Sequence, residues 1–155
     1  MELIAKRQSR LLDLYWRRER ENANPRFVFE YSAVSLYFAG RKEIERFIGD
    51  VCRGRNQPCL CEINVAEFLY STAKVLGWET AIIRHSVPLN IPIKIVTLDG
   101  ELILESARLK QKYWDKLSLA YAYLAALAKR LRAKIVTSDT TLAEIEEAET
   151  VLVPL

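Results

Sequence analysis

Short apolar runs rich in β-branched and aromatic residues alternate with longer stretches whose apolar positions recur every three or four residues. The first kind reads as buried strand and the second as amphipathic helix. On that pattern Phe27–Glu30 is a first strand, apolar until it meets Glu30. Ser32 to Tyr37 begins a helix that Gly40 ends, and Arg41–Arg53 is a second helix with Ile44, Phe47, Ile48 and Val51 inward. A loop runs from Gly54 to Pro58. Cys59–Cys61 then reads as a short strand, and Glu62–Leu76 as a helix closed by Gly77. Trp78–His85 continues as a helical piece, Pro88 and Pro92 bracket a loop, and Ile93–Val96 is a buried strand. After a turn at Asp99–Gly100, Glu101–Tyr113 is a helix.

The stretch from Lys116 to Asp139 organises the rest. Ser118 is placed as an N-cap. Leu119, Ala122, Tyr123, Ala126, Leu127 and Arg130 follow at helical steps and predict one buried face. Lys129, Arg130 and Arg132 crowd the end of that helix, where positive charge complements the dipole. Lys134–Thr137 is a β-branched strand, and Asp139 lies just beyond it. A short acidic helix over Leu142–Glu147 and a last strand over Val151–Val153 finish the chain. At the other end, residues 1–24 read as a basic amphipathic helix. Leu3, Ile4, Leu11, Leu12, Leu14 and Tyr15 are its apolar positions. A face of that kind predicts an ordered addition packed on the domain.

Strands alternating with helices imply a parallel sheet covered on both faces. No repeat, low-complexity segment or linker divides the chain, so 1–155 is expected to be one domain. Half of the residues are apolar and 28% are charged, as in ordinary globular proteins. No apolar run approaches the roughly 20 residues that span a bilayer. The charged N-terminus has no signal-peptide core, which leads us to expect a cytoplasmic protein. The net charge of +3 permits a polyanionic partner without demanding one. Glu outnumbers Asp by 15 to 5, a bias that leans toward a thermophilic source. Cys52, Cys59 and Cys61 are expected to be reduced, with a bridge from Cys52 left open. They do not form a zinc motif.

Three carboxylates fall where chemistry is usually found. Glu30 and Asp139 end strands, and Glu67 lies on the helix after the second strand, in INVAEFLY. Ligand chemistry in open α/β sheets sits past the carboxyl ends of strands. Acids gathered there repel one another unless a cation joins them, and oxygen-only donors suit Mg²⁺ or Mn²⁺.

The segment from Phe27 to Val153 resembles the PIN domains, especially the VapC-like toxins of prokaryotic toxin–antitoxin pairs. FVFEYSAVSLYF is similar to the family's opening strand-turn-helix, with Glu30 in the place of an Asp and Ser32 matching. INVAEFLY matches the second motif at Asn64 and Glu67. KLSLAYAYLAALAKRLRAKIVTSD resembles the third and fourth motifs, with Thr137, Ser138 and Asp139 matching the last. The resemblance implies a three-layer α/β/α sandwich with a parallel sheet of about four to five strands. It implies a Mg²⁺- or Mn²⁺-dependent endoribonuclease with RNA as substrate, an antitoxin protein as partner, and a homodimer. By it, Glu30, Glu67 and Asp139 are the catalytic and metal-holding residues, supported by Ser32, Asn64, Thr137 and Ser138.

The chain departs from the family at two places. Glu30 is one methylene longer than the family's Asp. The third acid is Tyr121, which is neutral at pH 7 and a poor ligand for a hard cation. Weak metal binding is therefore expected. Two classes of function stay open: a ribonuclease with a trimmed site, and an inactive PIN-like module that binds RNA or protein.

Overall fold

A computed structural model describes residues 26–55, 57–86 and 93–153. The helix expected over 1–24 and the loop residues Pro88 and Pro92 lie outside the described residues. The elements are β1 (Arg26–Phe29), α1 (Tyr31–Phe38), α2 (Lys42–Cys52), β2 (Gln57–Cys61), α3 (Glu62–Leu76), α4 (Trp78–Ser86) and β3 (Lys94–Val96). They are followed by α5 (Gly100–Lys112), α6 (Leu119–Leu131), β4 (Lys134–Thr137), a 3₁₀ turn (Thr140–Glu144) and β5 (Thr150–Leu152).

The five strands form one parallel sheet in the order β3-β2-β1-β4-β5. Side chains alternate across it, as the pleat requires. Val28, Cys59, Cys61, Val96 and Ile135 pack with α5 and α6 on one face. Phe27, Phe29, Leu60 and Val136 pack with α1, α2 and Phe68 of α3 on the other. This is the expected three-layer sandwich. The chain passes from β1 to β2 on one side, and later from β3 across to β4 on the other. The order therefore reverses between β1 and β4, the position at which ligands bind beyond the strand ends in open α/β sheets.

Several expected elements shift, each for a physical reason. β2 starts at Gln57 and includes Pro58, where the sequence predicts a loop. Pro58 pairs with Phe27 of β1, while β3 reaches only from Cys59 onward. The strand has a single neighbour at Pro58, so a missing N–H costs it little. Asp99 is an N-cap rather than a plain turn residue: its Oδ1 accepts from the Leu102 N–H at 2.8 Å. The acidic helix expected over Leu142–Glu147 is instead the 3₁₀ turn Thr140–Glu144, capped by Asp139. Beyond it Ile145 turns into the core and Glu147 bonds to Lys112 and Tyr113, so the helix does not continue.

The buried face of α6 is wider than its periodicity predicts. Ala122, Ala126 and Leu127 are buried as expected, but so are Ala120, Leu124, Ala125, Ala128 and Leu131. Leu119 and Arg130 are exposed, and Arg130 pairs with Asp99. The helix lies between the sheet and α5, so two of its sides are covered. The alanines allow that close approach. Cys59 and Cys61 are buried and Cys52 is exposed, with no disulfide among them. No described helix is long and apolar enough to cross a membrane.

Candidate active site

β1 and β4 run side by side, and an acid follows the carboxyl end of each. The ladder continues one residue past β1: the Glu30 N–H donates to the Val136 carbonyl at 3.0 Å. Glu30 is thereby fixed at the sheet edge and is completely buried. Its Oε2 accepts from the Ser32 hydroxyl and from Thr137 Oγ1, the latter at 3.0 Å. Its Oε1 is buried and has no hydrogen-bond partner. Burial pushes the Glu30 carboxyl above its ordinary range, the hydrogen bonds pull it down in part, and the charge of Asp139 adds to the rise.

Small hydroxyls tie the two strand ends together. Thr137 is fully buried; it donates to Glu30 and accepts from the Asp139 N–H at 3.0 Å. The Ser32 Oγ accepts from the Ser138 N–H at 3.1 Å. Ser138 thus joins the network through its backbone rather than its side chain.

Asp139 caps the 3₁₀ turn, its Oδ1 accepting from the Thr141 N–H at 2.8 Å. Its Oδ2 accepts from the Tyr121 hydroxyl at 2.7 Å. That hydrogen bond holds the Asp139 carboxyl below its ordinary range, against its partial burial. Tyr121 sits in the first turn of α6, positioned by the Ser118 cap, whose Oγ accepts from the Tyr121 N–H at 3.1 Å. Burial and then the bond to Asp139 push the phenol far above its ordinary range, with Glu30 and Asp139 adding repulsion. The phenol is neutral at every physiological pH.

Glu67 is half-buried on α3, one turn after Asn64. Asn64 Nδ2 donates to Glu67 Oε2 at 2.8 Å, while Asn64 Oδ1 is buried with no partner. Burial raises the Glu67 carboxyl, and the Glu30 charge raises it further. Tyr31, which follows Glu30 directly, is pushed up by burial and then by Glu30 and Glu67, with Asp139 also contributing. Sequence reasoning passed over Tyr31; its place beside Glu30 at the helix start was the signal. Asp115 is exposed in the turn before α6.

Glu30 is coupled electrostatically to Asp139 and to Glu67, and among the described residues no ion pair reaches any of the three. In kind they are donors for a hard divalent cation, and Glu30 Oε1 is a buried acceptor with nothing to accept from. In number they fall short. Among the described residues no three His, Cys, Asp or Glu side chains form a ready-made metal site. One oxygen of Asp139 is taken by a phenol where the family resemblance expects another acid.

The family model for the PIN domain matches residues 32–148. Among solved structures, the chain is similar to VapBC2 from Rickettsia felis bound to a promoter DNA fragment. The TM-score is 0.68 and the identity 13%, covering 81% of this chain and 97% of that one. It is similar to a toxin–antitoxin complex from Klebsiella pneumoniae, with a TM-score of 0.59 and 22% identity over 80% and 94% of the two chains. It is also similar to Mycobacterium tuberculosis VapC20, described as a sarcin-ricin-loop-cleaving toxin. There the TM-score is 0.63 and the identity 12% over 79% and 98%. At these identities the likeness is one of fold. No curated protein matches the chain in sequence.

Proposed function

The chain belongs to the PIN-domain family, and from that premise we propose that it is a divalent-cation-dependent ribonuclease of the toxin type with a weakened metal site. The observation that carries this reading is the buried Glu30, whose Oε1 has no partner and whose carboxylate is coupled to both Asp139 and Glu67, with no ion pair to any of the three among the described residues. Acids in that arrangement are strained until a cation joins them. Glu30, Glu67 and Asp139 would hold it, as oxygen donors suited to Mg²⁺ or Mn²⁺. When bound, such an ion polarises a phosphoryl oxygen and activates water for attack on a phosphodiester.

The chain's own residues prepare that site. Ser32 and Thr137 hold Oε2 of Glu30 and leave Oε1 facing an unpaired position. Asn64 fixes the rotamer of Glu67. The Thr141 N–H fixes Asp139. Resemblance to toxin–antitoxin complexes supports an antitoxin-like protein as partner, and a cytoplasmic homodimer acting on RNA is part of the same proposal. The test is incubation of a generic single-stranded RNA with Mn²⁺, with Mg²⁺ or with EDTA. Slow cleavage with Mn²⁺, less with Mg²⁺ and none with EDTA or in Glu67→Gln is expected. Cleavage that survives EDTA and Glu67→Gln contradicts the reading.

The bond from Tyr121 to Asp139 favours a second reading: a PIN-like protein that binds RNA or another protein and does not cleave. RNA binding with no cleavage in any divalent ion selects it.

A further inference from the structure

The third acidic position holds a residue that is already bonded to one of the remaining acids. Tyr121 Oη donates to Asp139 Oδ2 at 2.7 Å. The other oxygen of Asp139 is committed to the Thr141 N–H at 2.8 Å, and through it to the start of the 3₁₀ turn. Neither Asp139 oxygen is therefore idle. On Glu30, Oε2 serves Ser32 and Thr137, and only Oε1 has no partner. On Glu67, Oε2 serves Asn64. Of all these bonds, only the one from Tyr121 comes from the position where the family resemblance implies a further acid. The others come from groups that orient the acids.

Tyr121 cannot drift away at low cost. Its ring is half-buried and packs against the α5–α6 side of the core, and Ser118 caps its backbone N–H. The hydroxyl is thus presented to Asp139 by the fold itself.

We propose that Tyr121 is a specificity-determining residue that competes with cations: its hydroxyl occupies Asp139, and a divalent ion enters the crevice only by displacing it. This inference rests on the reading of Glu30, Glu67 and Asp139 as the cation site. Displacement carries a consequence for ion choice. Mg²⁺ demands near-ideal octahedral geometry and dehydrates reluctantly, so a site that must first give up a hydrogen bond disfavours it. Mn²⁺ suits the same oxygen donors and should be penalised less. The tyrosine does not abolish the site in this view. It sets a threshold of ion strength and concentration below which the crevice stays closed on itself.

The competition belongs to the hydroxyl, which separates it from a role for ring bulk. Tyr121→Phe keeps the ring and removes the donor. Tyr121→Asp removes the ring and adds a ligand. Asp139→Asn keeps the shape and removes the charge. Mn²⁺ affinity is measured by calorimetry for the wild-type chain and the three variants, together with the Mn²⁺-dependent rise in melting temperature, which reports the fold of each. Tyr121→Phe is expected to bind Mn²⁺ roughly tenfold tighter than wild type, the order set by a hydrogen bond to a charged group that no longer has to break. Tyr121→Asp should bind tighter still, and Asp139→Asn more weakly than wild type. If Tyr121→Phe binds no better than wild type while Tyr121→Asp binds well, the ring blocks by bulk. The competition is then overturned, and the cation site stands. If Asp139→Asn binds as wild type does and neither Tyr121 variant gains affinity, the site reading itself fails, and the competition with it.

Discussion

Replacing Glu30 by Gln should stabilise the protein when no divalent ion is present. Glu30 is fully buried, with one oxygen bonded twice and the other unpaired. A buried polar group left unsatisfied costs about 1–3 kcal/mol, and more when it is charged. In Glu30→Gln the amide oxygen can take the place of Oε2 and keep the bonds from Ser32 and Thr137. The amide NH₂ then takes the place of Oε1 and carries no charge. A gain of about 1–3 kcal/mol is expected, and at this chain length each kcal/mol moves the melting temperature by about 2–4 °C.

The gain must depend on pH. The Glu30 carboxyl is raised in the folded state above its ordinary value of 4.5. Below that ordinary value both folded and unfolded states hold the proton, and the wild-type chain suffers no penalty. As pH rises toward the folded value, the unfolded chain releases its proton first, and wild-type stability falls. Above the folded value the penalty is constant. The assay is thermal melting of both proteins in EDTA from about pH 4 to about pH 8. The difference between the curves reports Glu30 together with its coupling to Glu67 and Asp139, which titrate in both. A Gln variant no more stable than wild type at neutral pH, or a gap of equal size at acid and neutral pH, refutes the reasoning.

Thr137→Val should lose about 2 kcal/mol in denaturant unfolding, because one buried hydroxyl serves both Glu30 and the Asp139 N–H. A loss below about 0.5 kcal/mol would show that the hydroxyl does not link the strand ends. Asp139→Ala should lose about 1 kcal/mol or more at neutral pH through the lost turn cap. The Asp139 carboxyl is held below its ordinary 3.8, so the wild type keeps this advantage above that value and loses it as pH falls through the lowered one. The gap between the two proteins should close in strong acid; a constant gap contradicts the assignment. A thiol reagent should label Cys52 quickly, and Cys59 and Cys61 only on unfolding, because burial also pushes the Cys61 thiol to about 11.

Much of this arrangement is visible in the chain before folding. The apolar runs at Phe27–Phe29 and Ile135–Val136 mark central strands because both sheet faces are covered, and the acids stand out where those runs stop. Pro58 misled because a proline usually excludes a strand, and only the staggered register of β3 frees its missing N–H from a partner. Leu119 and Arg130 of α6 misled because periodicity assumes one buried side, whereas α6 has two. The replaced acid could be read at Tyr121, but its bond to Asp139 could not. That bond needs α6 and β4 brought together in three dimensions, and 18 residues separate the pair along the chain. The unpaired Oε1 of Glu30 was likewise beyond reach, since it depends on which neighbours turn a hydroxyl toward Oε2.

The most direct measurement of the central claim is anomalous scattering from crystals of the protein soaked in Mn²⁺. The account predicts a single Mn²⁺ peak in the crevice between the ends of β1 and β4, in contact with Glu30, Glu67 and Asp139, with the Tyr121 hydroxyl moved off Asp139. A crevice without a peak at saturating Mn²⁺, with Tyr121 still bonded to Asp139, would contradict it.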